Sequence, residues 1–180
     1  MRARKTDRAT RTLYTIGHST RTTRELLDLL RAHGVEQVVD VRTIPRSRHN
    51  PQFNRPALSR SLHAVKIRYR HMKALGGLRH ARLDSVNLGW RNASFRGYAD
   101  HIESAEFSGG LDELLEFAGQ LRTTLMCAEA VWWRCHRALI ADVLRVRGIE
   151  VVHILDPQHC VVHPYTSPAR IVEGRLSYAR

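Results

Sequence analysis

One stretch, Thr123 to Arg137, gathers the residue types best able to do chemistry: Cys127, Glu129, the pair Trp132 and Trp133, and then Cys135-His136-Arg137. Ahead of Cys127 run Thr123, Thr124, Leu125 and Met126, which read as a buried strand. Behind it His136, Ile140, Val143 and Leu144 recur at helical spacing, with Gly148 placed for a left-handed C-terminal cap. The segment is therefore strand, tight connection, helix. The first turn of a helix exposes unpaired N–H groups and the positive end of the dipole, so it attracts anions and lowers the pKa of nearby thiols. Cys135 shares the expected helical face with Leu139 and reads as a packed apolar residue, whereas Cys127 at the strand end is the thiol expected to act. Glu129 is a carboxylate between a buried strand and an aromatic pair, an expensive placement without a partner. The expected partner is the Arg137 guanidinium, helped by Arg42, which would keep Glu129 ionised as a base.

Leu13 to Gly17 reads as a first strand ending in His18. Thr22 with Glu25 forms a capping box for a helix whose buried stripe is Leu26, Leu27 and Leu30, and Gly34 ends it. Val35 to Val41 is a second strand, too continuously apolar for an exposed edge, and strand, helix, strand at this spacing is a parallel crossover. It finishes Asp40-Val41-Arg42, after which Pro45 stops the ladder and the loop carries Arg46, Ser47 and Arg48 over the strand end. A short helix over 56–63 and a third strand over 65–71 follow. The long run from Lys73 to Tyr98 has the character of a binding loop. A helix carrying Leu111, Leu114, Leu115, Ala118 and Leu121 leads to the central stretch, and Glu150 to Leu155 supplies a last strand. This pattern predicts one α/β domain over 12–156, a three-layer, mostly parallel open sheet with helices on both faces, preceded by a mobile basic arm at 1–11 and followed by an extended surface tail at 157–180. In such sheets ligands bind outside the carboxyl ends of the strands, which is where His18, Asp40, Arg42, Cys127 and Glu129 all fall.

The balance of 29 Lys and Arg against 17 Asp and Glu gives a formal charge of +12, which suits a polyanionic partner or an anionic substrate. Three cysteines do not make a disulfide framework, and the chain shows neither a signal-type segment nor a membrane-spanning run, so a cytoplasmic protein without membrane attachment is expected.

Tyr14-Thr15-Ile16-Gly17-His18-Ser19, Asp40-Val41-Arg42 with Pro45 and Ser47-Arg48, Leu75-Gly76-Gly77, Gly97-Tyr98-Ala99-Asp100, and Cys127-Ala128-Glu129 with Cys135-His136-Arg137 occur in an order and spacing that resemble the domain of unknown function 488 family. The resemblance runs from about Leu13 to Leu155. It implies a compact α/β fold and one cluster of His, Asp, Arg, Cys and Glu, with Val131-Trp132-Trp133-Arg134 as a subgroup variation.

The leading functional expectation is a hydrolase acting on nucleic acid or a nucleotide, at a glycosidic or phosphoester bond as in DNA repair. Glu129, Asp40, Cys127 and His18 would carry the chemistry. Arg42, Ser47, Arg48, Tyr98, His136, Arg137 and the helix start at Cys135 would hold the substrate, and Trp132 or Trp133 would stack on a base. The alternatives are a thiol-dependent enzyme, nucleophilic or redox, on a small anionic substrate, and a basic nucleic-acid-binding module without turnover. A metal held by Cys127, Cys135 and His136 ranks lower, because adjacent Cys and His at a helix start rarely reach one ion, and no metal or cofactor is expected.

Overall fold

The computed structural model describes residues 11–119 and 121–180. Apart from Arg11, the expected basic arm lies outside the described residues. Five strands run parallel, β1 (Thr12–Gly17), β2 (Gln37–Asp40), β3 (Arg68–His71), β4 (Thr123–Cys127) and β5 (Glu150–Ile154), and β6 (Cys160–Val162) closes one edge antiparallel to β5 in the order β3-β2-β4-β1-β5-β6. The helices are α1 (Thr23–Ala32), α2 (Arg55–Ala64), α3 (Ala93–Ile102), α4 (Ala105–Ala118) and α5 (Arg137–Val146). A separate hairpin pairs β7 (Arg170–Val172) with β8 (Arg175–Ser177). This is the expected α/β single-domain fold.

Alternation along the strands builds two cores. Val39, Leu125 and Leu13 face Leu111, Leu114, Leu139 and Ile140 of α4 and α5, while Val38, Met126 and Ile16 face Leu26, Leu30, Leu58 and Leu62 of α1 and α2. The capping box is present: Thr22 Oγ1 accepts from the Glu25 amide at 3.2 Å and the Glu25 carboxylate accepts from the Thr22 amide at 2.6 Å.

Two elements differ from expectation. Residues 73–98, expected as one irregular loop, end in α3, which Asn92 caps through the Ser94 and Phe95 amides. The apolar signal there is weak because α3 buries Tyr98, Asp100 and His101, groups that turn inward on hydrogen bonds rather than on hydrophobicity alone. The C-terminal segment does more than lie extended. It adds β6 to the sheet and buries His163 and Tyr178 against α5, with Tyr178 donating to Asp142 at 2.8 Å.

Register aligns the carboxyl ends that carry the site. Gly17 pairs with Cys127 and Asp40 with Met126, so Asp40 and Cys127 end neighbouring strands. The ladder runs on past β1, where the His18 and Ser19 amides donate to the carbonyls of Cys127 and Ala128 at 2.9 Å each. Gly17 is required by this approach: a Cβ there would lie 1.9 Å from the Glu129 carbonyl oxygen.

Candidate functional site

The ends of β1, β2 and β4 open into a cleft of about 770 Å³, within the range of small-molecule sites. His18, Arg42, Ser47, Cys127, Glu129, Cys135 and His136 line it, together with Arg46, Arg134, Asn50, Asn92 and Phe95. Asp40, Arg48, Tyr98, Trp132, Trp133 and Arg137 do not.

Two buried arginines organise the floor. Arg42 is held by Asp40 through a bidentate pair, Nε to Oδ1 at 2.9 Å and Nη2 to Oδ2 at 2.6 Å. Nη2 also donates to the Phe53 carbonyl at 2.8 Å, and Nη1 meets His18 Nε2 at 3.2 Å. Of the five guanidinium hydrogens, one on Nη1 is left for a ligand. Asp40 is fully buried and also accepts from the Tyr69 hydroxyl at 2.8 Å and the Arg42 amide at 3.1 Å. With four hydrogen bonds accepted, the Asp40 carboxylate is placed as a support for Arg42.

His18 is a prop of the same kind. Its Nδ1 faces the Ser19 carbonyl at 2.8 Å, and since a carbonyl only accepts, the proton is on Nδ1 and the Nε2 lone pair receives Arg42. Burial lowers its pKa to about 4, against the Ser19 carbonyl, which raises it. Burial likewise holds His153 down to about 3, with the charges of His163 and Arg137 adding to it. Both groups stay neutral when folded at pH values where the unfolded chain is protonated, so the unfolded state binds more protons below about pH 6.5 and stability falls with pH through that window. The urea midpoint is expected to drop between about pH 7 and about pH 4.5, and a flat profile would mean that His18 titrates freely.

The second arginine, Arg137, is 1% exposed. Its Nε donates to Cys135 Sγ at 3.3 Å, Nη2 to the Glu129 backbone carbonyl, and Nη1 to Thr15 Oγ1 at 3.5 Å. The expected pair between Arg137 and the Glu129 carboxylate does not form. The chain turns after Cys127 so that Glu129 gives Arg137 its main-chain oxygen and leaves its side chain exposed on the cleft wall. Among the described residues no carboxylate pairs with Arg137, and its Nε meets the Cys135 sulfur instead.

Cys135 is buried in the core as expected, 5% exposed, but not as part of a helix. α5 begins only at Arg137; Cys135 is extended (φ −131°, ψ 146°) and His136 is the N-cap, so neither is on the helical face that periodicity suggested. The Ala138 and Leu139 amides are spent on the carbonyls of Cys135 and His136, so Arg137 and not the helix terminus supplies most of the positive character. Burial pushes the Cys135 thiol up, but the neighbouring Cys127 thiol and the charges of Arg137 and His136 outweigh it and hold it well below the usual range. Cys127 shifts the other way, raised by its neighbour Cys135 and by burial. The opposite shifts favour the thiol at Cys127 and the thiolate at Cys135.

His136 completes the cluster. Its Nε2 donates to the Val41 carbonyl at 2.9 Å, and Nδ1 lies 3.7 Å from Cys135 Sγ. Gly77 makes room, since a Cβ there would fall 2.3 Å from Nδ1. The donor atoms of Cys127, Cys135 and His136 lie within 4.8 Å of one another, closer than the sequence spacing suggests. A divalent ion on two thiolates would nonetheless leave the buried Arg137 without an anion. One thiolate beside one thiol would balance it.

The tryptophans stand away from the cleft. Trp132 stacks flat on His153, with centroids 4.4 Å apart and planes 4° apart, and Trp133 is 55% exposed. Tyr98 is fully buried under His136 and donates to the Leu75 carbonyl at 2.8 Å, while Arg48 points to solvent. The Ser47 hydroxyl caps a turn by accepting from the Asn50 amide at 3.0 Å. Sequence reasoning missed Thr15, Asp142, His153 and His163. Asp142 gave the clearest signal, a carboxylate inside the apolar run of α5.

A family model described as Domain of unknown function DUF488 matches residues 22–144, from the capping box of α1 to Leu144 of α5. It includes Asp40, Arg42 and the whole of Cys127 to Arg137, and leaves out β1 and everything after Leu144. Searches of the curated proteins and of the solved structures found no match to the chain. No helix among the described residues is long and apolar enough to cross a membrane.

Proposed function

This chain belongs to the domain of unknown function DUF488 family, and from its geometry we propose a thiol-dependent enzyme in which Cys135 attacks a small anionic substrate, of nucleotide size, held in the cleft. One observation carries this reading: among the described residues the buried Arg137 has the Cys135 sulfur beside it and no carboxylate. A thiolate is the nucleophilic form of cysteine, and a fixed cation beside it is how proteins keep that form at neutral pH. Arg46 and Arg134 on the rim, with the free Arg42 hydrogen, suit an anionic group.

The step is a substitution. Cys135 Sγ forms a bond to the electrophilic atom, the bond to the leaving group breaks with its electron pair, and the leaving group takes a proton from a water in the cleft. The hydroxide so formed attacks the Cys135 adduct, and the thiolate is released. The sum is hydrolysis of one bond, in line with a phosphoester or glycosidic linkage of a nucleotide or nucleic acid as the substrate.

A second reading is direct hydrolysis by a water that Glu129 activates. It is favoured by the Glu129 carboxylate being exposed on the cleft wall with no ion pair among the described residues. Alkylation with iodoacetamide, followed residue by residue by mass spectrometry, tests the first reading. Cys135 should react fastest at neutral pH, with a midpoint below the ordinary thiol value of about 8.5, and exposed Cys160 serves as reference. Slower labelling of Cys135 than of Cys160 would overturn it. With a substrate in hand, Glu129→Gln lowers turnover by about 100-fold or more only under the second reading.

A further inference from the structure

Behind Arg137 a run of buried polar groups crosses the sheet to the C-terminal segment. Thr15 Oγ1 lies 2.6 Å from His153 Nδ1, His153 Nε2 lies 2.9 Å from His163 Nδ1, and His163 Nε2 lies 2.9 Å from Asp142 Oδ1. Thr15, His153, His163 and Asp142 are each no more than 1% exposed. Asp142 also accepts from the Thr166 amide at 2.9 Å, the Thr166 hydroxyl at 2.5 Å and the Tyr178 hydroxyl at 2.8 Å. Trp132 covers the run, stacked on His153 and edge-on to His163 at 5.3 Å.

The two ends set the direction of every bond. Arg137 can only donate and the Asp142 carboxylate can only accept. If His163 gives its Nε2 hydrogen to Asp142 and receives from His153 Nε2, then His153 Nδ1 is open to the Thr15 hydroxyl, and Thr15 oxygen receives Arg137. All the hydrogens then have acceptors. In the reverse arrangement His153 Nδ1 donates to Thr15, and with Arg137 donating as well, the Thr15 hydroxyl hydrogen is buried without an acceptor. That costs about 1 to 3 kcal/mol. The low pKa of His153 agrees with a neutral ring.

We propose that Asp142, His163, His153 and Thr15 form a directed hydrogen-bond chain that orients Arg137 on Cys135, making residues of the C-terminal segment positioning residues for the nucleophile. The chain rests on the reading of Cys135 as a thiolate. It gives the segment after α5 a task at the site. His153, His163, Thr166 and Tyr178 all fall outside the family match at 22–144, so this support belongs to a part of the chain that the shared family core does not include. A misaligned guanidinium stabilises the thiolate less, so breaking the chain at either end raises the pH at which Cys135 ionises.

The test is the pH dependence of Cys135 alkylation by iodoacetamide in the full chain, with far-ultraviolet circular dichroism as the folding control. Thr15→Val, which removes only the hydroxyl, and His163→Phe, two links further from the sulfur, should each move the midpoint up by about one pH unit. Thr15→Ser should restore the wild-type profile. Folded variants with an unmoved midpoint would overturn the proposal. A wild-type midpoint at the ordinary thiol value would instead overturn the thiolate reading, so the two failures are distinguishable. A measurement on the unaltered protein covers the case of variants that do not fold: imidazole nitrogen shifts should place the proton of both His153 and His163 on Nε2 at neutral pH, and a proton on Nδ1 of either one refutes the chain.

Discussion

Cys135→Ala should abolish turnover, by about 10⁴-fold or more as for other lost nucleophiles, and should also destabilise the protein by about 3 kcal/mol. The second effect has a distinct cause. Removing the sulfur does little to packing, but it strips the buried Arg137 of its counter-charge, and an uncompensated buried charge costs far more than the contact it lost. The diagnostic experiment is therefore a double-mutant cycle. Arg137→Met alone leaves a thiolate that can protonate, so its stability cost is smaller; in the Cys135→Ala background the same change removes the orphaned charge and should recover about half of the lost stability. Chemical denaturation of the four proteins measures the coupling. If the two effects simply add, Arg137 is not paired with a thiolate, and Cys135 is the packed residue that its spacing first suggested.

Asp40→Asn is expected to be the most destabilising single change at the mouth of the sheet, about 3 to 5 kcal/mol, which for a chain of this size lowers the melting temperature by about 10 °C. Asp40 and Arg42 are 0% and 6% exposed, and the guanidinium takes both carboxylate oxygens. An amide in place of the carboxylate offers one acceptor and turns a donor toward Arg42. Tyr69→Phe, which deletes a single hydrogen bond to the same carboxylate, should cost only about 1 kcal/mol. The contrast separates a prop from a base. Should Asp40→Asn keep its melting temperature while losing turnover, Asp40 works on the substrate after all.

Much of the architecture was legible from local pattern. The capping box at Thr22 and Glu25, the leucine stripe of α1, the continuous valines of β2 and the apolar approach to Cys127 each reflect a rule that acts within a few residues: capping, amphipathic spacing, burial on both faces of a parallel sheet. From these alone the α/β class followed, and with it the gathering of His18, Arg42, Cys127 and Glu129 at the strand ends. What the sequence could not determine was which polar atom meets which. Periodicity placed Cys135 on a helix face, yet the chain is extended there, and two backbone angles separate a packed thiol from one under a guanidinium. Glu129 and Arg137 are well spaced for an ion pair, but the turn after β4 offers Arg137 a carbonyl instead, because buried donors take the acceptor that the backbone has already fixed in place. Asp142, His153 and His163 carry no mutual spacing at all. They meet because β5, β6 and α5 fold over one another, and hydrogen bonding between groups so far apart along the chain is settled by tertiary packing, where the cost of leaving any one of them unpaired selects the arrangement that satisfies them together.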